Sequence, residues 1–233
     1  MARLYLGTSG WAYPAWKGKF YPDKIPSEQM LPFYSQHFDT VEINNSFYRM
    51  PAAASMTKWR DTVPEGFRFA LKAPQEITHR RRLLDAEQPL SRFVELVNLM
   101  GDRRGPILFQ LPPNLRLDAD RLSRFLEVLK PFDQQVAFEF RHDTWLCEEV
   151  FALLRAHDAA LCLAETDEAA APLIPASGFV YLRLRKSDYS EDDLAAWKMR
   201  LDTLVFEGRD VYCFFKHEDS GKGPQYVLQT MRA

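Results

Sequence analysis

The sequence predicts an α/β protein, a (β/α)8 barrel of the TIM type, formed as a single domain by residues 1–233. Short segments rich in aromatic and β-branched residues alternate with longer amphipathic segments, in steps of about 29 residues. This alternation requires parallel strands, because each helical crossover returns the chain to the same edge of the sheet. Eight such units close a barrel of about 250 residues. A doubly wound open sheet is the alternative, but the sequence has no glycine-rich dinucleotide fingerprint, which favours the barrel.

The strands are predicted where apolar residues run together between turn residues. They lie at 3–7, 40–43, 67–72, 107–110, 136–140, 160–164, 179–184 and 211–215. The helices are predicted from apolar residues at helical spacing, as in Leu122, Leu126 and Leu129, with Ser27 as an N-cap and Pro131 as a stop. They lie at 27–37, 89–99, 120–129, 148–157 and 192–207, with a weaker segment at 55–61.

Two units depart from the regular pattern. Pro172 and Pro175 lie in the connection that follows the sixth strand, so its helix is expected to be a single turn or absent. The last helix, after Lys222, is expected to be short.

Composition places the chain among cytoplasmic proteins without a membrane span. Thirty basic and 32 acidic residues give a formal net charge of −2, which argues against a uniformly basic protein that coats nucleic acid. Cys147, Cys162 and Cys213 form no Cys-x-x-Cys pair and are interpreted as reduced thiols. No segment approaches the roughly 18 apolar residues of a membrane helix. The N-terminus enters a strand-like segment at once, so no signal peptide is expected.

Charged residues interrupt or end most of the predicted strands at their carboxyl ends, where barrels of this type carry their active sites. They are Glu42, Lys72, Glu139, Glu165, Arg183 and Lys216. If these side chains point inward they converge on one mouth, and because burying a lone charge costs several kcal/mol they must pair or meet a ligand. The alternative is a lattice of ion pairs that only seals the barrel.

A surplus of positive charge favours a ligand over such a lattice. Three carboxylates face Lys72, Arg141, Arg183, Arg185, Lys186 and Lys216. This cationic mouth predicts an anionic ligand, with phosphate as the first candidate. Trp11 and Tyr48 lie in the first two loops, where such rings stack on bases or sugars. Alternatively, Trp11 and Trp16 plug the barrel top as a loop core.

No metal ligands and no cofactor are predicted. Several residues at the strand ends are of ligand type, namely Glu42, Glu139, His142, Glu165 and His217. The neighbouring cations would repel a divalent metal, and no His-x-His or His-Glu-x-x-His spacing is present. A divalent metal at this mouth remains the alternative.

Motifs at the strand ends follow one another in a fixed order. They are Gly7-Thr8-Ser9-Gly10-Trp11, Phe20-Tyr21-Pro22, Val41-Glu42-Ile43-Asn44, Phe47-Tyr48, Phe69-Ala70-Leu71-Lys72-Ala73-Pro74, Leu108-Phe109-Gln110-Leu111-Pro112-Pro113, Glu139-Phe140-Arg141-His142, Val180-Tyr181-Leu182-Arg183 and Phe215-Lys216-His217. In this order, and over nearly the whole chain, they resemble the YecE-like family (domain of unknown function 72).

The resemblance implies a TIM-type barrel similar in structure to the apurinic-endonuclease and xylose-isomerase barrels. By that structural analogy it suggests a role connected with nucleic acid, without implying a particular activity. The histidine-rich zinc clusters of the endonuclease barrels have no counterpart in this sequence. The chain reads Asn44-Asn45-Ser46 where many relatives have Asn-Ser-Thr, and Glu165 where aspartate is frequent. Arg185 stands where relatives often have histidine, which argues against a metal ligand at that position.

The function expected from the sequence is the binding, and if the protein is an enzyme the hydrolysis, of a phosphate-bearing ligand, either a nucleotide or a nucleic acid. Glu139 is the expected general base, with Glu42 or Glu165 as its partner carboxylate. The anion is expected to contact Lys72, Arg141, Arg183 and Lys216, with Asn44, Gln110, His142, Trp11 and Tyr48 as further ligand contacts. The alternatives are a non-catalytic nucleic-acid-binding module and a metal-dependent sugar isomerase or epimerase.

Overall fold

Eight parallel strands close into a barrel in chain order, so each strand pairs with its sequence neighbours and β8 pairs with β1. The structure is a computed structural model that describes residues 1–168, 176–217 and 220–233. The strands are β1 Leu4–Ser9, β2 Thr40–Ile43, β3 Arg68–Lys72, β4 Arg104–Gln110, β5 Val136–Glu139, β6 Ala160–Glu165, β7 Phe179–Leu184 and β8 Asp210–Phe215. The predicted (β/α)8 barrel is confirmed.

Helices cover the outside of the barrel. They are α1 Ser27–Tyr34, α2 Asn45–Tyr48, α3 Ala53–Thr62, α4 Glu87–Asn98, α5 Ala119–Leu129, α6 Glu148–Ala156, α7 Glu191–Phe206 and α8 Lys222–Arg232. Their buried faces carry the apolar residues that the sequence pattern identified, such as Leu122, Leu126 and Leu129 on α5. In the described parts of the chain, no helix has the length and apolar character needed to cross a membrane.

Two expectations about irregular units have different outcomes. The last helix is not short: α8 runs for 11 residues, because Gly223 and Pro224 lie in its first turn, where a missing backbone N–H is tolerated. The inner side of α8 is then formed by Tyr226 and Val227, which are buried. The helix expected to be reduced or absent after β6 falls largely on residues 169–175, which lie outside the described residues.

The barrel interior is filled by side chains of alternating residues, as the period of two in a strand requires. Its lower part is apolar and aromatic, with Tyr5 stacked on Tyr212 at 4.6 Å between ring centroids. The strands β1 and β2 approach each other closely, so a Cβ added to Gly7 would lie 2.1 Å from the carbonyl oxygen of Thr40. The other end of the interior, at the carboxyl ends of the strands, holds buried polar residues, among them Glu42, Glu139 and Arg183.

Candidate functional site

The barrel mouth is built from the last inward-facing residue of successive strands. These residues are Ser9, Glu42, Lys72, Gln110, Glu139 and Arg183, all of them buried. The strand register holds Ser9 beside Glu42 and Gln110 beside Glu139. Six polar side chains from six strands therefore share one enclosed layer.

Arg183 crosses this layer and pairs with two carboxylates on distant strands. Its Nη2 lies 2.9 Å from Glu42 Oε1 on β2, and its Nη1 lies 2.5 Å from Glu139 Oε2 on β5. The three residues are 1%, 0% and 2% exposed. Burial and the two carboxylates act in opposite directions on Arg183, and the carboxylates prevail and raise its pKa.

Glu42 accepts three further hydrogen bonds. Ser9 Oγ donates at 2.5 Å and Asn44 Nδ2 at 3.1 Å to Oε1, while Tyr181 OH donates at 2.7 Å to Oε2. Burial alone would raise the pKa of Glu42, but the charge of Arg183 and these hydrogen bonds lower it below its usual value. Glu42 is therefore a fixed anion that sets the orientation of Arg183.

Glu139 is surrounded by arginine side chains. Besides Arg183, Arg141 Nε lies 3.1 Å and Arg185 Nη2 lies 3.8 Å from its Oε1. Burial raises the pKa of Glu139, but the three guanidinium groups outweigh burial and hold the pKa far below its usual value. A carboxylate with so low a pKa is a weak base, so its surroundings favour an electrostatic role over the general-base role expected from the sequence.

Lys72 is held differently from the arginines. Its Nζ donates to Gln110 Oε1 at 2.8 Å and lies 3.9 Å from the centre of the Phe47 ring. Burial and the positive charges of Arg183 and Lys216 lower the pKa of Lys72 to about 8, against the opposing effect of Glu139 and Glu42. This amine therefore exchanges protons close to physiological pH.

The other end of the Gln110 side chain lies near Glu139, without a well-aligned hydrogen bond in the described part of the chain. The Gln110 amide helps to lower the pKa of the neighbouring Glu139, but its buried Nε2 makes no hydrogen bond of ordinary geometry within the described ranges. A buried donor without a well-placed acceptor costs about 1–3 kcal/mol, so this amide is poised to donate to an oxygen that enters the mouth.

The described part of the mouth is cationic. Four positive side chains, Lys72, Arg141, Arg183 and Arg185, act on the same two carboxylates, Glu42 and Glu139. Four positive charges against two negative charges leave a surplus of two. The surplus expected from the sequence is therefore found in the part of the mouth that the structure describes.

Glu165 does not belong to this layer, which corrects the expectation that it partners Glu139. It follows Leu161 and Leu163 on the face of β6 that packs against the helices. Its Oε2 accepts from Tyr189 OH at 2.8 Å and from Trp197 Nε1 at 3.1 Å. These bonds give Glu165 a structural position between β6 and α7.

His142 lies at the rim of the mouth. It accepts hydrogen bonds from Thr144 through its Nδ1, so it caps the short turn at Asp143–Trp145. It also lines a cavity of about 290 Å³ with Arg141 and Arg185. Its hydrogen bonds to Thr144 and its position in the cavity wall therefore both place His142 beside the mouth.

The aromatic residues divide between the rim and the core. Trp11 meets Trp59 edge to face, with ring centroids 5.3 Å apart, and both line a cavity of about 260 Å³ together with Asn44. Tyr48 is 74% exposed. Trp16 is fully buried, so the loop-core interpretation holds for Trp16, while Trp11 keeps a face toward the cavity.

Sequence reasoning missed two residues beside Lys72. Phe47, on α2, carries the amine of Lys72 on its ring face and meets the His79 ring at its edge, with centroids 4.9 Å apart. His79 lies in a π-helical turn at Glu76–Arg80, a geometry often found at functional sites. Burial and the charges of Lys72 and Arg141 lower the pKa of His79. The sequence carried two signals for them, the motif Phe47-Tyr48 and the place of His79 at the start of the basic run His79-Arg80-Arg81-Arg82, just after β3.

The carboxylates of the described part of the mouth face cationic side chains. Over the described ranges, no group of three histidine, cysteine, aspartate or glutamate side chains is arranged to hold a metal ion. Both mouth carboxylates are engaged by Arg183, and the surrounding charge is positive.

The fold and the site together define an α/β-barrel protein with a polar, cationic mouth at the carboxyl ends of its strands. The chain belongs to the family described as "Protein of unknown function DUF72", whose model matches residues 5–233. The resemblance seen in the sequence motifs is thereby confirmed.

Relatives extend over most of the chain. The UPF0759 protein YunF of Bacillus subtilis is 26% identical over 261 aligned positions, which cover 94% of this chain and 90% of YunF. A crystal structure of the DUF72 protein TM1631 of Thermotoga maritima has a TM-score of 0.81 at 24% identity and covers 98% of both chains. D-psicose 3-epimerase of Clostridium cellulolyticum has a TM-score of 0.56 at 11% identity, covering 98% of this chain and 92% of its own, and shares the fold alone.

Proposed function

We propose that the barrel mouth binds a phosphate-bearing ligand, a nucleotide either free or as part of a nucleic acid. The observation that carries this proposal is the surplus of positive charge, four cationic side chains against two carboxylates among the described residues. Glu42, Arg183 and Glu139 together carry one negative charge, whereas Lys72, Arg141 and Arg185 carry three positive charges. The mouth therefore keeps a net positive charge, which would attract an anion.

The parts of the mouth suit the parts of such a ligand. The phosphate oxygens would accept from Arg141 and Lys216, and another oxygen of the ligand would accept from the Nε2 of Gln110. The cavity beside Trp11, about 260 Å³, would take a base or sugar ring, since aromatic faces stack on such rings at about 1–3 kcal/mol per base. We also place the protein in the cytosol, on the basis of its three free thiols.

The experiment is a calorimetric titration of the purified protein with inorganic phosphate, AMP and a short single-stranded oligonucleotide. Arg141→Gln should weaken AMP binding about tenfold, because it removes one charge-assisted hydrogen bond to the phosphate. Arg124→Gln, on the exposed side of α5, is the matched control and should leave binding unchanged. Equal weakening by both variants, or no binding by the wild type, would refute the proposal.

The same titration separates the two forms of the ligand. For a nucleic acid, the logarithm of the binding constant should fall with the logarithm of salt concentration, with a slope that reports the phosphates neutralised. A mononucleotide shows a shallower dependence, since it carries one phosphate group.

A hydrolytic activity would be detected as phosphate or nucleoside released from the bound ligand. If the protein is such an enzyme, we expect Arg183 and Lys72 to stabilise the charge that develops on the phosphate. Binding without any product would leave a non-catalytic module. Stoichiometric zinc or manganese in the untagged protein would instead favour the metal-dependent epimerase that the sequence left open.

A further inference from the structure

Lys72 differs from the arginines of the mouth in what surrounds its charge. The arginines lie within ion-pair distance of Glu42 or Glu139. Over the described ranges, Lys72 forms no salt bridge, and its amine contacts an amide oxygen and an aromatic face. Burial and neighbouring cations favour the neutral amine of a lysine over its ammonium ion, and the neutral amine is the nucleophilic form.

We propose that Lys72 forms an imine with the carbonyl group of its ligand, so that the ligand class is an aldose phosphate or ketose phosphate. The inference rests on the proposed function, because the cationic rim would bind the phosphate while the carbonyl carbon meets Lys72. It narrows the ligand from any phosphate ester to one that also carries an aldehyde or ketone.

The chemistry balances without any further reactant. The neutral Nζ attacks the carbonyl carbon, forming a C–N bond and a carbinolamine. The C–O bond then breaks, and the oxygen leaves as water with the two hydrogens that the amine loses. A proton from solvent or from a neighbouring acid converts the product into the positively charged iminium form.

The surroundings of Lys72 favour each step. Gln110 Oε1, 2.8 Å away, accepts a hydrogen bond from Nζ and so holds the amine in place. Gln110 Nε2 is a donor on the same side chain without a hydrogen bond of ordinary geometry, placed to bind the oxygen of the carbonyl or carbinolamine. The His79 ring contacts the same Phe47 ring. Its lowered pKa favours the neutral imidazole near pH 7, and this form can accept a proton during the reaction.

The experiment is reductive trapping of the wild-type protein with dihydroxyacetone phosphate, glyceraldehyde 3-phosphate or ribose 5-phosphate in the presence of sodium cyanoborohydride. Peptide mapping by mass spectrometry then locates the adduct. At pH 7 we expect Lys72 to be modified at least about tenfold faster than any other lysine, because a much larger share of its amine is neutral. Lys72→Arg should abolish the adduct, whereas Lys24→Arg, an exposed control, should leave it unchanged.

The outcomes separate this inference from the proposed function. Trapping at Lys72 that inorganic phosphate competes away supports both. Binding of AMP with no adduct at Lys72 from any of the three probes overturns the imine and leaves the proposed function standing. Trapping by dihydroxyacetone as fast as by its phosphate supports the imine and contradicts the phosphate site. If the protein shows neither binding nor trapping, the imine and the proposed function are both overturned. Because peptide mapping uses the wild-type protein, the result does not depend on whether a variant folds.

Discussion

Titration of Lys72 should add to the stability of the folded protein as the solution becomes alkaline, against the opposing titration of the buried thiols of Cys162 and Cys213. Folding lowers the pKa of Lys72 from 10.5 to about 8, so between these values the folded protein has released a proton that the unfolded chain still holds. Stability rises with pH wherever the unfolded state binds more protons. Between pH 7 and pH 10, the titration of Lys72 therefore raises the free energy of unfolding by about 2.5 kcal/mol.

The assay is urea denaturation of the wild type and of Lys72→Met at pH 7, 8, 9 and 10. Subtracting the free energy of unfolding of Lys72→Met from that of the wild type removes the titration of the groups that the two proteins share. This difference should shift by about 2.5 kcal/mol in favour of the wild type as the pH rises from 7 to 10. Lys24→Met measures what an exposed lysine contributes and is the matched control. A difference that stays constant, or that shifts the other way, would show that Lys72 is held as an ammonium ion and would refute the reasoning.

Two further predictions concern the barrel itself. Arg183→Leu should lower the free energy of unfolding by about 3–5 kcal/mol in urea denaturation, because it removes the ion-pair partner of the buried Glu42 and one of the three arginines around the buried Glu139. Arg155→Leu, whose partner is exposed, should cost under about 1 kcal/mol, and equal losses would contradict the role assigned to burial. Gly7→Ala should cost at least about 2 kcal/mol or prevent folding, since its methyl group would meet the Thr40 carbonyl. Gly178→Ala, where the nearest atom is 3.6 Å away, should differ little from wild type in the same measurement.

The architecture could be predicted because the strand and helix periods are local properties of the sequence. The beginning of β4 was missed by three residues because Gly105 and Pro106 are poor strand formers. Gly105 is nevertheless required there, since a Cβ would come within 3.0 Å of the Phe69 carbonyl oxygen. That requirement depends on the approach of two strands, which local sequence does not reveal.

The site could be predicted only as far as strand ends define it. The pattern of strand ends indicated that Glu42, Glu139 and Arg183 lie near one another, and the register of the closed sheet brings them into contact. Glu165 has the parity of two leucines, but parity alone does not say which face of a strand is the inner one. The surroundings of Lys72 could not be predicted from the strand ends either, because its contact with Phe47 depends on the short helix after β2.

The contact of Arg183 with Glu42 joins the two halves of the barrel unequally. A fragment ending after β4 would contain Glu42 with only the hydrogen bonds of Ser9 and Asn44, whereas a fragment beginning at β5 would contain Arg183 together with Glu139. The second half therefore carries its own ion pair, whereas Glu42 of the first half gains an ion-pair partner only by docking. When separately expressed halves reassemble, the N-terminal half would therefore gain more electrostatic stabilisation than the C-terminal half.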